Sequence, residues 1–277
     1  MRLYEKAKRL GTWDPSAIDL ERDRAGWPAL TEPQQEAILQ ITALFVAGEE
    51  AVTLDLLPLI QAIAREGRLE EELFLTTFLF EEGKHTQFFR RFLDEVAGGP
   101  TDLDRWMTPT YRTLFAEELP LSMAALLDDS SPATQARAAV TYNMIIEGVL
   151  AETGYHSYFL ALERNDLMPG LREGIGLVKR DESRHIAYGV YLLSRLVAAD
   201  PELWPVVEER MNELLPLALA FVEETFEPYP DNVTPFGITL EQVTSWATSQ
   251  FGKRYARIER SRGRPIAELD SELDEEA

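Results

Sequence analysis

Glu81-Glu82-Gly83-Lys84-His85 and Asp181-Glu182-Ser183-Arg184-His185 each contain the phrase Glu-x-x-His, and together they use two of the three histidines in 277 residues. Each follows an isolated glutamate inside an apolar run: Glu49 lies 33 positions before Glu82, and Glu147 lies 35 before Glu182. Residues three or four apart share a helix face, so Glu82 and His85 point one way, as do Glu182 and His185. Phe78, Glu82, His85, Phe89 and Phe92 fall on one stripe; Val178, Glu182, His185, Gly189 and Leu192 fall on another. Both pairs therefore face a core. A duplicated helix pair with this spacing predicts a two-metal carboxylate site inside a four-helix bundle.

The charge arithmetic supports that reading. Four ionised carboxylates buried together without counter-charge would cost more than a domain can supply. Two divalent cations cancel four glutamates, and neutral imidazoles add nothing. Carboxylate with imidazole suits iron and manganese and is too hard for Cu(I). Further oxidation of both metals leaves positive charge over, so the site is suited to oxygen species or an acid ligand. The predicted ligands are Glu49, Glu82, His85, Glu147, Glu182 and His185. Glu50, Glu81 and Glu152 are neighbouring carboxylates that could substitute, and the three-residue step favours Glu82 over Glu81. His156 reads as a structural histidine.

Outward from these phrases, nearly the whole chain reads as helix. Thr31-Glu32-Pro33-Gln34 resembles a capping box opening a helix toward Gly67, disturbed at Pro58. A second helix runs from about Leu69 to Ala97, where Gly98-Gly99-Pro100 breaks it. Ser131-Pro132 opens a third, to about Asn165, and a fourth covers Leu171 to Ala199. Further helices are expected within 101–130, from Asp200-Pro201 to Phe226, and from Thr239 to Gly263; residues 1–31 read as irregular. Strand signals are almost absent. The fold class is all-α, a four-helix core with additional packed helices. Thinly spread Gly and Pro predict one domain over 1–263, and 264–277 reads as an acidic, disordered tail.

Composition narrows function. The formal charge of −21 argues against nucleic acid and anionic membrane surfaces as partners. With no cysteine, disulfides and thiolate metal sites are excluded. The N-terminus lacks an apolar signal region, and no stretch of about 18 apolar residues could span a bilayer, so the expectation is a cytoplasmic protein.

Several bundle proteins use such a site. A plain ferritin needs little over half this length, and a rubrerythrin needs cysteines. The segment Val46–Asp55, the pair Glu82/His85, the helix Tyr142–Gly148 and Asp181–His185 together resemble the ribonucleotide reductase small-subunit-like ligand-binding oxidases, ferritin-like proteins, over about residues 30–230. The resemblance implies a mixed centre with one Mn and one Fe per chain, a di-iron form being possible. It also implies O₂ activation for two-electron C–H oxidation, a long-chain fatty acid at the metals, and a homodimer. It further implies an ether cross-link between a valine and a tyrosine, by position Val52 and Tyr142. The alternative is the radical-generating small subunit of a ribonucleotide reductase. Two departures weaken it: Glu49 stands where that subunit usually has Asp, and the C-terminus lacks its docking aromatic residue.

Overall fold

The computed structural model describes residues 2–99, 102–266 and 268–269. Residues 270–277, the acidic end of the expected tail, lie outside them. Four helices form the core. The first, Glu32–Asp55, opens on Thr31, where the capping box is formed reciprocally with Gln34. It ends at Leu56, and Pro58 occupies the first turn of a separate helix, Leu57–Arg65, because proline has no N–H to continue the ladder. The second bundle helix is Leu69–Glu95 and the fourth is Pro169–Ala199.

The third bundle helix differs from its sequence reading. Pro132–Ala139 and Glu152–Leu162 are α-helical, but Val140–Ala151 between them is π-helix. This wider turn carries Tyr142 and Glu147, and its residues from Val140 to Leu150 are all buried. A helix apolar on every face has to be covered on every face. Trp204–Phe226 and Leu240–Arg260 cover the side away from the bundle. Helix spacing is set by small residues at the crossings. A Cβ on Gly189 would lie 2.1 Å from the Asn143 Cβ, so only glycine lets the third and fourth helices approach this closely.

Residues 2–31, expected to be irregular, are largely helical. Arg2–Leu10 and Glu21–Gly26 are helices, and Arg2–Leu10 lies against the second and fourth bundle helices. Between these two short helices and the bundle, one side chain acts as a fastener. Asp23 is fully buried and accepts from the backbone N–H groups of Gly170 and Leu171, each at 2.8 Å. It caps the fourth bundle helix from 147 residues away in sequence. Burial raises its pKa against those hydrogen bonds. Among the described residues there is no β-strand; an isolated bridge between Val233 and Thr239 closes the turn before the last helix.

Candidate metal centre

Each bundle helix sends one carboxylate to a common point: Glu49 from the first, Glu82 from the second, Glu147 from the third and Glu182 from the fourth. His85 and His185 complete the cluster, and none of the six is more than 4% exposed. Ligand-capable atoms form two overlapping groups, each within 4.8 Å. One holds Glu49, Glu82, His85 and Glu182; the other holds Glu82, Glu147, Glu182 and His185. Glu82 and Glu182 belong to both. The geometry is therefore two adjacent sites, each with its own histidine and outer glutamate, joined by two shared carboxylates.

The ring faces support that division. His85 Nδ1 lies 3.2 Å from Glu182, 3.5 Å from Glu49 and 3.8 Å from Glu82. His185 Nδ1 lies 3.0 Å from Glu82, 3.4 Å from Glu182 and 3.8 Å from Glu147. Six buried polar atoms here have no hydrogen-bond partner: both oxygens of Glu82, one each of Glu147 and Glu182, and the Nδ1 of each histidine. An unsatisfied buried polar atom costs about 1–3 kcal/mol, so six approach the whole stability of a domain. The donor set fits two divalent cations, which would satisfy these atoms together.

Without a cation, protons have to balance this charge. Burial pushes the Glu49 and Glu147 carboxyls well up. Glu82 moves the other way: burial opposes ionisation, but His185 and His85 hold it below the usual carboxylate range. For the imidazoles, burial would lower the pKa, yet the carboxylates around each ring raise it well above the ordinary value.

A second layer escaped the sequence reading. The residue before each shared glutamate crosses the bundle to the other helix's histidine. Asp181 Oδ2 lies 3.4 Å from His85 Nε2, and Glu81 Oε2 lies 2.9 Å from His185 Nε2. Cations close the layer: Arg184 donates to Glu81 and Asp181 at 2.6 Å each, and Lys84 donates to Asp181 at 2.9 Å. The Trp13 indole also donates to Asp181, at 2.7 Å. The signal was present in the repeated pattern acid-Glu-x-cation-His. Orienting imidazoles through their far nitrogen fixes which nitrogen faces a metal.

The neighbouring candidates lie elsewhere. Glu50 pairs with Arg90 at the surface, and Glu152 pairs with Arg254. His156 stacks on Trp246, with ring centroids 3.9 Å apart. Two phenols border the cluster. Tyr155 donates to Glu49 Oε1 at 3.2 Å, and the fully buried Tyr142 donates to the Val52 backbone carbonyl at 3.1 Å. Burial raises the pKa of both, and the nearby glutamates add to it. Val52 lines a cavity that runs from Glu49, Glu82, Glu147 and Glu182 past Phe45 and Leu150 toward Phe221 and Phe226.

Residues 1–258 match the ribonucleotide reductase small-chain family. The chain belongs to that family. Within it, the match is to R2-like ligand-binding oxidases. One such oxidase with an aerobically reconstituted Mn/Fe cofactor is 38% identical, with TM-score 0.90, over 95% of this chain and 93% of that one. A valine-to-leucine variant with an anaerobically reconstituted Mn/Fe cofactor is 39% identical, with TM-score 0.88, over 94% and 93%. A tyrosine-to-phenylalanine variant, also reconstituted anaerobically with Mn/Fe, is 40% identical, with TM-score 0.87 over the same shares. The R2-like chain described here is thus an oxidoreductase with a buried carboxylate–histidine cluster able to hold two metals. No described helix is long and apolar enough to cross a membrane.

Proposed function

We propose that the protein is an O₂-activating Mn/Fe oxidase that couples Val52 to Tyr142 and binds a long-chain fatty acid beside the metals. Glu49 and His85 would hold one ion, Glu147 and His185 the other, with Glu82 and Glu182 between them. Bound metals would supply the two-electron oxidising power drawn from O₂. The observation that carries the cross-link is the Tyr142 hydroxyl at 3.1 Å from the Val52 carbonyl, on the metal-facing side of the bundle. Ether formation joins the phenolic oxygen to the valine Cβ. It removes one hydrogen from each residue, and O₂ accepts the two electrons. Val52 suits the step because its tertiary C–H is among the weaker aliphatic ones. In the relatives, the substituted valine and tyrosine stand 90 positions apart, as Val52 and Tyr142 do.

The fatty-acid reading rests on the cavity. Its lining joins apolar Ile38, Leu44, Phe221 and Phe226 to the glutamate cluster. An amphiphile with a long apolar body and one anionic head matches that polarity, the head lying toward the cations. A homodimer in the cytoplasm remains part of this reading. The radical-subunit alternative shares the family match, but the solved structures compared above are named as oxidases.

The test is to load metal-free protein anaerobically with Mn(II) and Fe(II), admit air, and map a digest by mass spectrometry. A Val52–Tyr142 linked peptide two hydrogens lighter than its parents is expected. Unlinked peptides from protein that holds two metals and consumes O₂ would overturn the cross-link.

A further inference from the structure

In a chain whose acids outnumber its bases 48 to 27, one cavity of about 560 Å³ is lined by cations, with no acid among the described lining residues. Three helices build it. Arg2–Leu10 contributes Lys6; the fourth bundle helix contributes Arg180 and Arg184; the last helix, Leu240–Arg260, contributes Lys253, Arg254, Arg257 and Arg260. The helical steps 180/184 and 253/257/260 put these side chains on facing stripes. Leu3, Leu10, Ile186 and Val190 line the same cavity with apolar surface.

We propose that this cavity binds a phosphate-bearing anion. Part of its positive charge is already used: Arg184 holds Glu81 and Asp181, and Arg254 holds Glu152. Three other lining cations are unpaired within the described residues: Lys6, Lys253 and Arg260 have no ion-pair or hydrogen-bond partner there. Arg184 is only 4% exposed, and its buried Nε has no hydrogen-bond partner either. Like charges gathered around a cavity repel one another unless an anion joins them. The repulsion registers at Lys6, whose pKa is lowered by burial first and then by Arg9, Arg184 and Arg2. At physiological ionic strength charges are screened beyond about 8 Å, so the lining cations set the local potential rather than the distant acidic surface. Guanidinium groups recognise phosphate oxygens in pairs, and a cavity of this size suits a small molecule. The phosphate could come from a soluble metabolite or from a lipid headgroup; the apolar floor accommodates the carbon portion of either.

This proposal is independent of the oxidase reading. Its test is calorimetric titration of the full chain with glycerol 3-phosphate at low ionic strength, beside the Lys253→Glu/Arg260→Glu variant. One saturable site per chain is expected, weakened about tenfold or more in the variant as charge-assisted contacts are lost. Metal content and melting temperature should be unchanged, which separates loss of the site from loss of the fold. Absence of saturable binding, or equal binding by the variant, overturns the proposal. A second arm sediments the protein with phosphatidylcholine vesicles with and without phosphatidic acid. Association that needs phosphatidic acid and is displaced by glycerol 3-phosphate assigns the headgroup as source. Saturable binding without vesicle association assigns the soluble source. Vesicle association that survives the double substitution also overturns the site.

Discussion

Asp181 stands beside Glu182 in the fourth bundle helix, yet its carboxylate serves His85 on the second helix, 3.4 Å from Nε2. Glu81 returns the arrangement to His185 at 2.9 Å. Each metal-facing imidazole is thus oriented by the helix that carries the other one. Asp181→Asn keeps the shape but removes the charge that fixes the ring and balances Lys84 and Arg184. Removing such an outer partner lowers metal affinity about 10–100-fold. Competition with a calibrated chelator should show that loss in Asp181→Asn and in Glu81→Gln. Unchanged affinity in both would mean the crossing carboxylates do not orient the rings.

Val52 and Tyr142 can be separated by substitution. Val52→Ala leaves only a methyl C–H at Cβ, a stronger bond, and should yield no linked peptide after aeration. The deletion of two buried methyl carbons costs about 1–3 kcal/mol, small enough for the bundle to fold. Tyr142→Phe removes the oxygen itself and should also give no link. A linked peptide from either variant would place the chemistry on other residues.

The crossing at Gly189 gives a stability prediction. With Asn143 Cβ 2.1 Å from any added Cβ, Gly189→Ala forces the third and fourth helices apart. Overpacking of this kind costs about 1–3 kcal/mol. Asn143 also donates to Glu147 at 2.9 Å, so the strain reaches the centre. Denaturant unfolding should show the loss, and metal affinity should fall with it. Alanine at Gly83, where an added Cβ meets nothing within 4 Å, should be neutral or stabilising.

The six clustered residues were legible because glutamate and histidine on apolar stripes contradict their usual preference for the surface. The layer behind them was not. Lys84 and Arg184 are 5% and 4% exposed, but a lysine or arginine in a helix reads as solvent-facing until its buried partners are known. The helix Arg2–Leu10 was read as irregular because most of its residues are charged and only Ala7 is buried. Its place depends on the acids and backbone it meets in the fold, as when Lys84 reaches the carbonyl of Gly11 just beyond it. The π-turn at Val140–Ala151 left no mark either, since an unbroken apolar run has no period from which to count residues per turn.

Metal loading should depend on pH, and the sign follows from the imidazoles. Burial would lower His85 and His185, but their carboxylate neighbours raise both well above 6.5. The shift favours the protonated rings in metal-free protein, so metal loading must displace protons from them as well as from the raised Glu49 and Glu147 carboxyls. Affinity rises with pH, by up to tenfold per unit for each proton displaced. The same shift stabilises the metal-free fold fully below the ordinary imidazole pKa of about 6.5, and this contribution is lost as pH climbs through the raised value. Calorimetry with Mn(II) in buffers of different ionisation heat counts the protons. Loading without proton release would show that the rings are already neutral.

The apolar cavity gives the last test, because its occupant can be displaced without touching the metal cluster. Leu150 is 7% exposed, lines the cavity three residues beyond Glu147, and carries no polar group. Leu150→Trp fills space that a fatty-acid chain would occupy and leaves every clustered carboxylate and imidazole in place. The tryptophan has an apolar void to enter, so the overpacking penalty should stay near the lower end of about 1–3 kcal/mol. Lipid extracted from purified protein should fall well below one per chain, while elemental analysis still finds two metals. If the chain is instead a radical subunit with no lipid, parent and variant will extract alike, with nothing bound to either. Equal fatty acid in both would place the ligand outside this cavity. Loss of lipid with retention of metals would tie the acyl chain to the channel that ends at Glu49 and Glu147.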